Sequence, residues 1–177
     1  MFLAAAFRKF RPNLNAASAP VSPADFFEIR NRLAFAHTQA TLHLMQTLTL
    51  YAITAVIFLA LDAIMLTRVM SPLFERHIGA FLLPDLRLGA AVAFYLAYIV
   101  GVLYFASLPA LAEGAPIKAL LNGAILGAMA YGTYEFTNLA TLKGWSWQMV
   151  AVDVTWGAVL TGVSAWAGVT LTRLIFS

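Results

Sequence analysis

Cysteine is absent from the 177 residues, and charge is scarce: only 11% of the side chains are Asp, Glu, Lys or Arg. Without a thiol there is no disulfide, no thiolate metal ligand and no cysteine nucleophile. A soluble domain carries about 25% charged residues, so the shortage of charge excludes an ordinary hydrated surface. Histidine is limited to His37, His43 and His77, with no ligand-like spacing between them. No zinc-protease, nucleophile-elbow or phosphate-loop motif is present, so no reaction class is announced by a signature. The net charge of +3 is modest, and the aromatic residues lie inside apolar runs rather than among basic ones. That combination excludes a nucleic-acid-binding surface.

What is abundant is apolar sequence, 62% of the chain. A helix needs about 20 mostly apolar residues to cross a hydrocarbon core. Four segments qualify, near 45–67, 88–111, 117–139 and 149–172. The runs are continuous rather than alternating, which disfavours a β-barrel. The expected fold is an all-α integral membrane protein with four transmembrane helices and a short interfacial helix between the first and second. That short helix would start at Ser71-Pro72 and end at Pro84. Phe74, Ile78, Phe81 and Leu82 would line one face, and Glu75, Arg76 and His77 would lie elsewhere. Gly123 and Gly127 on the third span, with Ala158/Gly162 and Ser164/Gly168 on the fourth, have the small-residue spacing that lets helices approach closely in lipid.

Residues 1–44 form a separate region before the four-helix domain of 45–177. Arg8, Lys9 and Arg11 make a basic cluster, and NLNAASAP follows shortly after it. Ser22 then reads as the cap of a short amphipathic helix with Pro23 at its first position, and Glu28 and Arg32 are spaced to pair. No apolar core follows Arg11 before Leu33, so the tail is expected to be retained. The alternative start is Met45, with 1–44 an upstream extension. Four spans put both termini and the 112–116 turn on one side with Arg8, Lys9, Arg11, Arg30, Arg32, Lys118 and Arg173. Arg68, Arg76, Arg87 and Lys143 fall on the other, so the termini are expected in the cytoplasm. A start at Met45 would reverse that balance.

Three spans carry a carboxylate: Asp62, Glu135 and Asp153. Counting along antiparallel helices at about 1.5 Å per residue puts all three roughly 9–11 Å from the midplane, in the same leaflet. One charged Asp near a span centre costs about 2.5–3.5 kcal/mol on insertion scales, so the three are expected to face inward. Tyr131, Tyr134, Glu135 and Asn138 share one helical stripe. Tyr95 and Tyr98 begin the second span at the same face, and Trp156 lies one turn beyond Asp153. These residues define an acidic and tyrosine-rich pocket. A purely structural polar network that knits helices together is the competing reading. Carboxylates suit hard divalent cations, but only His77 lies near that face, and neither a metal nor a cofactor is expected.

The segments FLALDAIML at 58–66, LRLGAAVAFYLAYIVG at 86–101, GAMAYGTYEFTNLATLKGW at 127–145 and VDVTWGAVLTG at 152–162 together resemble the bacterial predicted-membrane-protein family catalogued as domain of unknown function 2177. The resemblance spans about residues 45–174. It implies a four-span, multi-pass protein of the bacterial inner membrane, often encoded near genes for lipid modification, and no named activity. The family pattern commonly has Asp where this chain has Glu135, and Trp where it has Met65.

Three function classes follow. The leading one is an acidic pocket that binds or modifies a lipid-like amphiphile, with Glu135 and Asp153 as candidates for acid–base work and Asp62 orienting a partner. The second is a small transporter acting as a dimer. Polar groups in the opposite half are limited mainly to Tyr104, Asn122, Thr161 and Ser164, which disfavours a through-path. The third is an accessory subunit whose tail touches anionic lipid. The expected partners are membrane lipid and a second copy of the chain.

Overall fold

A computed structural model of the chain describes residues 23–83, 85 and 87–177, all helix, turn or coil with no strand among them. The basic cluster, Ser22 and Pro84 lie outside the described residues. The chain divides into two compact units, Met1–Leu42 and His43–Ser177. Helix α1 runs Pro23–Met65. In the first unit its side chains are exposed from Phe26 onward, and Arg32 bridges Glu28 at 2.7 Å. An exposed pair of this spacing contributes about 0.3–0.5 kcal/mol.

In the second unit, α1 is followed by a π-helical turn at Leu66–Met70, by α2 at Ser71–Ile78 and by a 3-10 turn at Gly79–Phe81. Helix α3, Leu88–Val102, passes through a second π turn, Leu103–Ser107, into α4, Leu108–Ala112. Helices α5, Pro116–Thr141, and α6, Trp147–Ile175, complete the chain. The two π turns have one cause. Each is followed within two residues by a proline, Pro72 or Pro109, which cannot donate to the carbonyl four residues back and crowds it. The helix widens just before the ring, and the backbone N–H of Ser71 or Leu108 reaches five residues back, to Leu66 or Leu103.

Three helical stretches are long and apolar enough to cross a membrane: Phe26–Phe81, Leu88–Ala112 and Trp147–Ile175. Helix α5 has the length, 26 residues, but its apolar character is diluted by Asn, Thr, Tyr, Gly and Glu135. Of these, Gly123, Gly127 and Glu135 are buried. α5 lies antiparallel against α6 in the most extensive helix–helix contact of the fold. A Cβ on Gly127 would collide with the Gly157 carbonyl, and one on Gly123 would stand 2.9 Å from the Thr161 carbonyl oxygen. The residue of α6 that meets Gly127 is Gly157. Gly162 does face α5, whereas Gly168 faces Thr54 and Leu50 of α1.

Leu50, Ala55 and Phe58 of α1 pack with Ile99, Val102 and Ala106 and with Leu160, Ala165 and Val169 of α6. Outward from that core, Val56, Ile64, Val100, Phe105, Ile125, Met129, Val159 and Leu171 are exposed apolar side chains. They form the belt that a hydrocarbon solvent requires. At the end that holds Glu113, its ammonium partner Lys118 and the C-terminal turn of α6, Arg173 Nη1 donates to the Gly114 carbonyl at 2.8 Å.

Of the stripe expected on the short helix α2, Phe74 and Ile78 pack inward, and Leu73 joins them. Leu73, Phe74 and Ile78 pack on Trp145, Met149 and Val150, while Phe81 stands 78% exposed. The 3-10 turn shifts the helical phase after Ile78, so Phe81 does not continue the stripe.

Candidate functional site

The site is built where α1, α2, α3, α5 and α6 meet. It is a cleft of about 910 Å³. Helix α1 contributes Asp62, 7% exposed, and the π turn after it turns Leu66 and Met70 into the same space. Helix α3 adds Ala91, Phe94, Tyr95 and Tyr98, α5 adds Ala130, Tyr131 and Tyr134, and α6 adds Asp153 and Trp156. Phe74 and Glu75 join from α2, Leu82, Leu83 and Arg87 from the connection, and Leu88 from the start of α3.

Hydrogen bonds fix the polar end. The Trp156 indole N–H donates to Asp62 Oδ1 at 3.2 Å, tying α6 to α1. The Tyr95 phenol stands against the Asp62 carboxylate. Tyr98 and Thr161 share a hydrogen bond at 3.2 Å between their oxygens. The Tyr131 phenol oxygen is buried with no hydrogen-bond partner among the described residues. Phe58 lies beneath, its ring 5.7 Å from those of both Tyr95 and Tyr98.

Glu135 takes a different place. It is fully buried and is not part of the cleft lining. Its Oε2 accepts from the Trp145 indole N–H at 2.8 Å, and its Oε1 has no donor. The Asp153 carboxyl, which does line the cleft, neighbours Glu135. Asn138 lies outside the lining, and its amide nitrogen is buried with no hydrogen-bond partner among the described residues. Tyr134 is half-exposed, its ring edge-on to Trp145 at 5.7 Å.

The expected residues thus separate into two layers. Asp62, Tyr95, Tyr98, Tyr131, Tyr134, Asp153 and Trp156 line the cleft, whereas Glu135 and Asn138 stand behind its wall. Trp145 was missed as a participant, because a tryptophan near a span end reads as an interface anchor. Its signal is the preceding Gly144. With φ of +86°, Gly144 turns the loop back so that the indole enters the bundle. Phe74 of α2 then packs edge-on against that indole at 5.3 Å. Ser146 caps α6 by accepting from the Met149 N–H at 3.3 Å. Among the described residues, no group of three or more His, Cys, Asp or Glu converges as a metal-ligand set.

Neither a curated protein nor a solved structure matches the chain. A family model described as a predicted membrane protein matches residues 47–170, a stretch containing every side chain of the cleft and its supporting layer. The chain belongs to that family, the predicted membrane proteins of domain of unknown function 2177.

Proposed function

We propose that the protein crosses a bacterial inner membrane four times and binds an amphiphilic, lipid-derived molecule in the cleft. The carrying observation is the mixed lining. Asp62, Tyr95, Tyr131, Asp153 and Trp156 supply polar groups from the long helices, Glu75 and Arg87 supply charges from α2 and the connection to α3, and Leu66, Met70, Phe74, Leu82, Leu88 and Phe94 offer apolar contact to a chain. The cleft volume lies within the roughly 300–1,000 Å³ of small-molecule sites. Helix α5 serves as the remaining span: Gly123, Gly127 and Glu135 are buried, and Ile125, Met129 and Phe136 are exposed for lipid. Helix α2 lies at the membrane surface, with Glu75 and Arg76 exposed to the headgroups.

Asp153 is the carboxyl that meets the ligand, with Glu135 as its positioning partner. The tight α5–α6 seam at Gly123 and Gly127 weighs against a path through the protein, and so against the transporter reading. The termini lie in the cytoplasm, which C-terminal reporter fusions check by cytoplasmic rather than periplasmic activity.

The test of function is comparative lipidomics of a host lacking the protein, complemented with wild type or with Asp153→Asn. A lipid class that changes on deletion and returns only with wild type supports the reading. Unchanged lipids in every strain would count against it.

A further inference from the structure

Resting on that reading, we infer that the head of the bound amphiphile is a cation, an ammonium group seated between Asp62 and Asp153. Asp62 and Asp153 both line the cleft, and among the described residues neither has a basic partner. The described ion pairs are Glu28–Arg32 and Glu113–Lys118, and none of their four residues lines the cleft. The basic side chain in the lining is Arg87, which is exposed. Carboxylates set in an apolar space are tolerated when they meet a counter-charge or hold a proton. The rest of the lining favours a counter-charge.

That lining is aromatic. Phe94, Tyr95, Tyr98, Tyr131, Tyr134 and Trp156 all border the cleft. Aromatic side chains around an anionic centre form the setting in which alkylammonium groups are recognised, through cation–π attraction. The Tyr131 ring borders the same cleft, while its buried oxygen has no partner among the described residues. The same chemistry is available from a single-chain amine or from the head of an ethanolamine phospholipid. The phosphate of the latter would have Arg87 to meet.

The experiment uses the full chain in non-ionic maltoside micelles, with binding read by native mass spectrometry. The probes are dodecylamine, dodecyltrimethylammonium, dodecanol and dodecanoate, followed by dilauroyl phosphatidylethanolamine and dilauroyl phosphatidylglycerol. The ammonium probes are expected to bind about tenfold tighter than the alcohol or the carboxylate. Asp62→Asn combined with Asp153→Asn should erase that preference while dodecanol still binds. Trp156→Leu leaves both carboxylates and should weaken dodecyltrimethylammonium more than dodecylamine. Preference for phosphatidylethanolamine over phosphatidylglycerol supports the inference and assigns the head to a phospholipid. A preference confined to the single-chain amines supports it and assigns a free amine. Equal binding of dodecanol and dodecylamine, or a preference that survives the double substitution, would overturn the cation and leave amphiphile binding standing. Saturable binding of none of the probes would instead overturn the proposed function itself.

Discussion

The Trp145 indole N–H donates to Glu135 Oε2 at 2.8 Å in a fully buried setting, joining the α5–α6 loop to the interior of α5. The contact orders the wall behind the cleft, because Glu135 is also the neighbour of Asp153. Trp145→Phe keeps the ring and removes the donor. It should lower stability by about 1–3 kcal/mol, the cost of a buried acceptor left unpaired. Glu135→Gln keeps an acceptor oxygen for the indole and should cost less. Thermal melts of the two variants in detergent check the order, and a Glu135→Gln melt below that of Trp145→Phe would contradict it.

The α5–α6 seam gives a sharper contrast between two glycines. Gly157→Ala puts a methyl into the Tyr131 ring and should destabilise by about 1–3 kcal/mol. Gly132→Ala meets no atom closer than 3.9 Å, at Phe136, and should stabilise α5 by up to about 1 kcal/mol. Because Tyr131 lines the cleft, Gly157→Ala should also weaken amphiphile binding, whereas Gly132→Ala should not. Paired melts and binding isotherms check both effects, and similar behaviour of the two variants would refute the seam as described.

How much of this was legible in the sequence depends on which kind of regularity carried it. Counting residues along alternating helices puts Asp62, Glu135 and Asp153 at one depth; Asp62 and Asp153 line the cleft, whereas Glu135 stands behind its wall. Depth is additive along a helix, so it survives errors of a residue or two at the ends. What a one-dimensional stripe could not give was the split within it. Tyr131 and Glu135 are one turn apart, yet Tyr131 lines the cleft and Glu135 lies behind it. That division is set by Trp145 arriving from the loop. Its arrival depends on a backbone reversal at Gly144 that no helical periodicity encodes. The π turns escaped for a similar reason: Pro72 and Pro109 read as punctuation, whereas the helices pass through them by widening.

The reversal at Gly144 carries its own prediction. At φ of +86° any side chain is strained, by about 1–2 kcal/mol for an L-residue. A Cβ there would also stand 3.0 Å from the His77 carbonyl oxygen. Gly144→Ala should therefore loosen both the Trp145–Glu135 bond and the seat of α2. The expected readout is a red shift in tryptophan emission with the far-UV helix signal retained. An unshifted spectrum would mean that the loop holds Trp145 without help from Gly144.

The absence of native cysteine makes the cleft open to direct mapping, since any introduced thiol is the only one present. Ala91→Cys and Ala130→Cys place thiols on the lining from α3 and α5. Ala119→Cys and Ala165→Cys place them in fully buried positions of the core. Only the thiolate reacts with maleimide, and it forms readily where water reaches the sulfur. The two lining variants should label in intact membranes with a charged, membrane-impermeant maleimide, and the two core variants should not. Dodecylamine should slow labelling of the lining pair if it fills the same space, and dodecanol should do so less. Labelling from one side of the membrane alone would identify the face on which the cleft opens. Equal labelling of Ala130→Cys and Ala165→Cys would mean that water reaches the core as readily as the proposed site, and the distinction between cleft and core would fail.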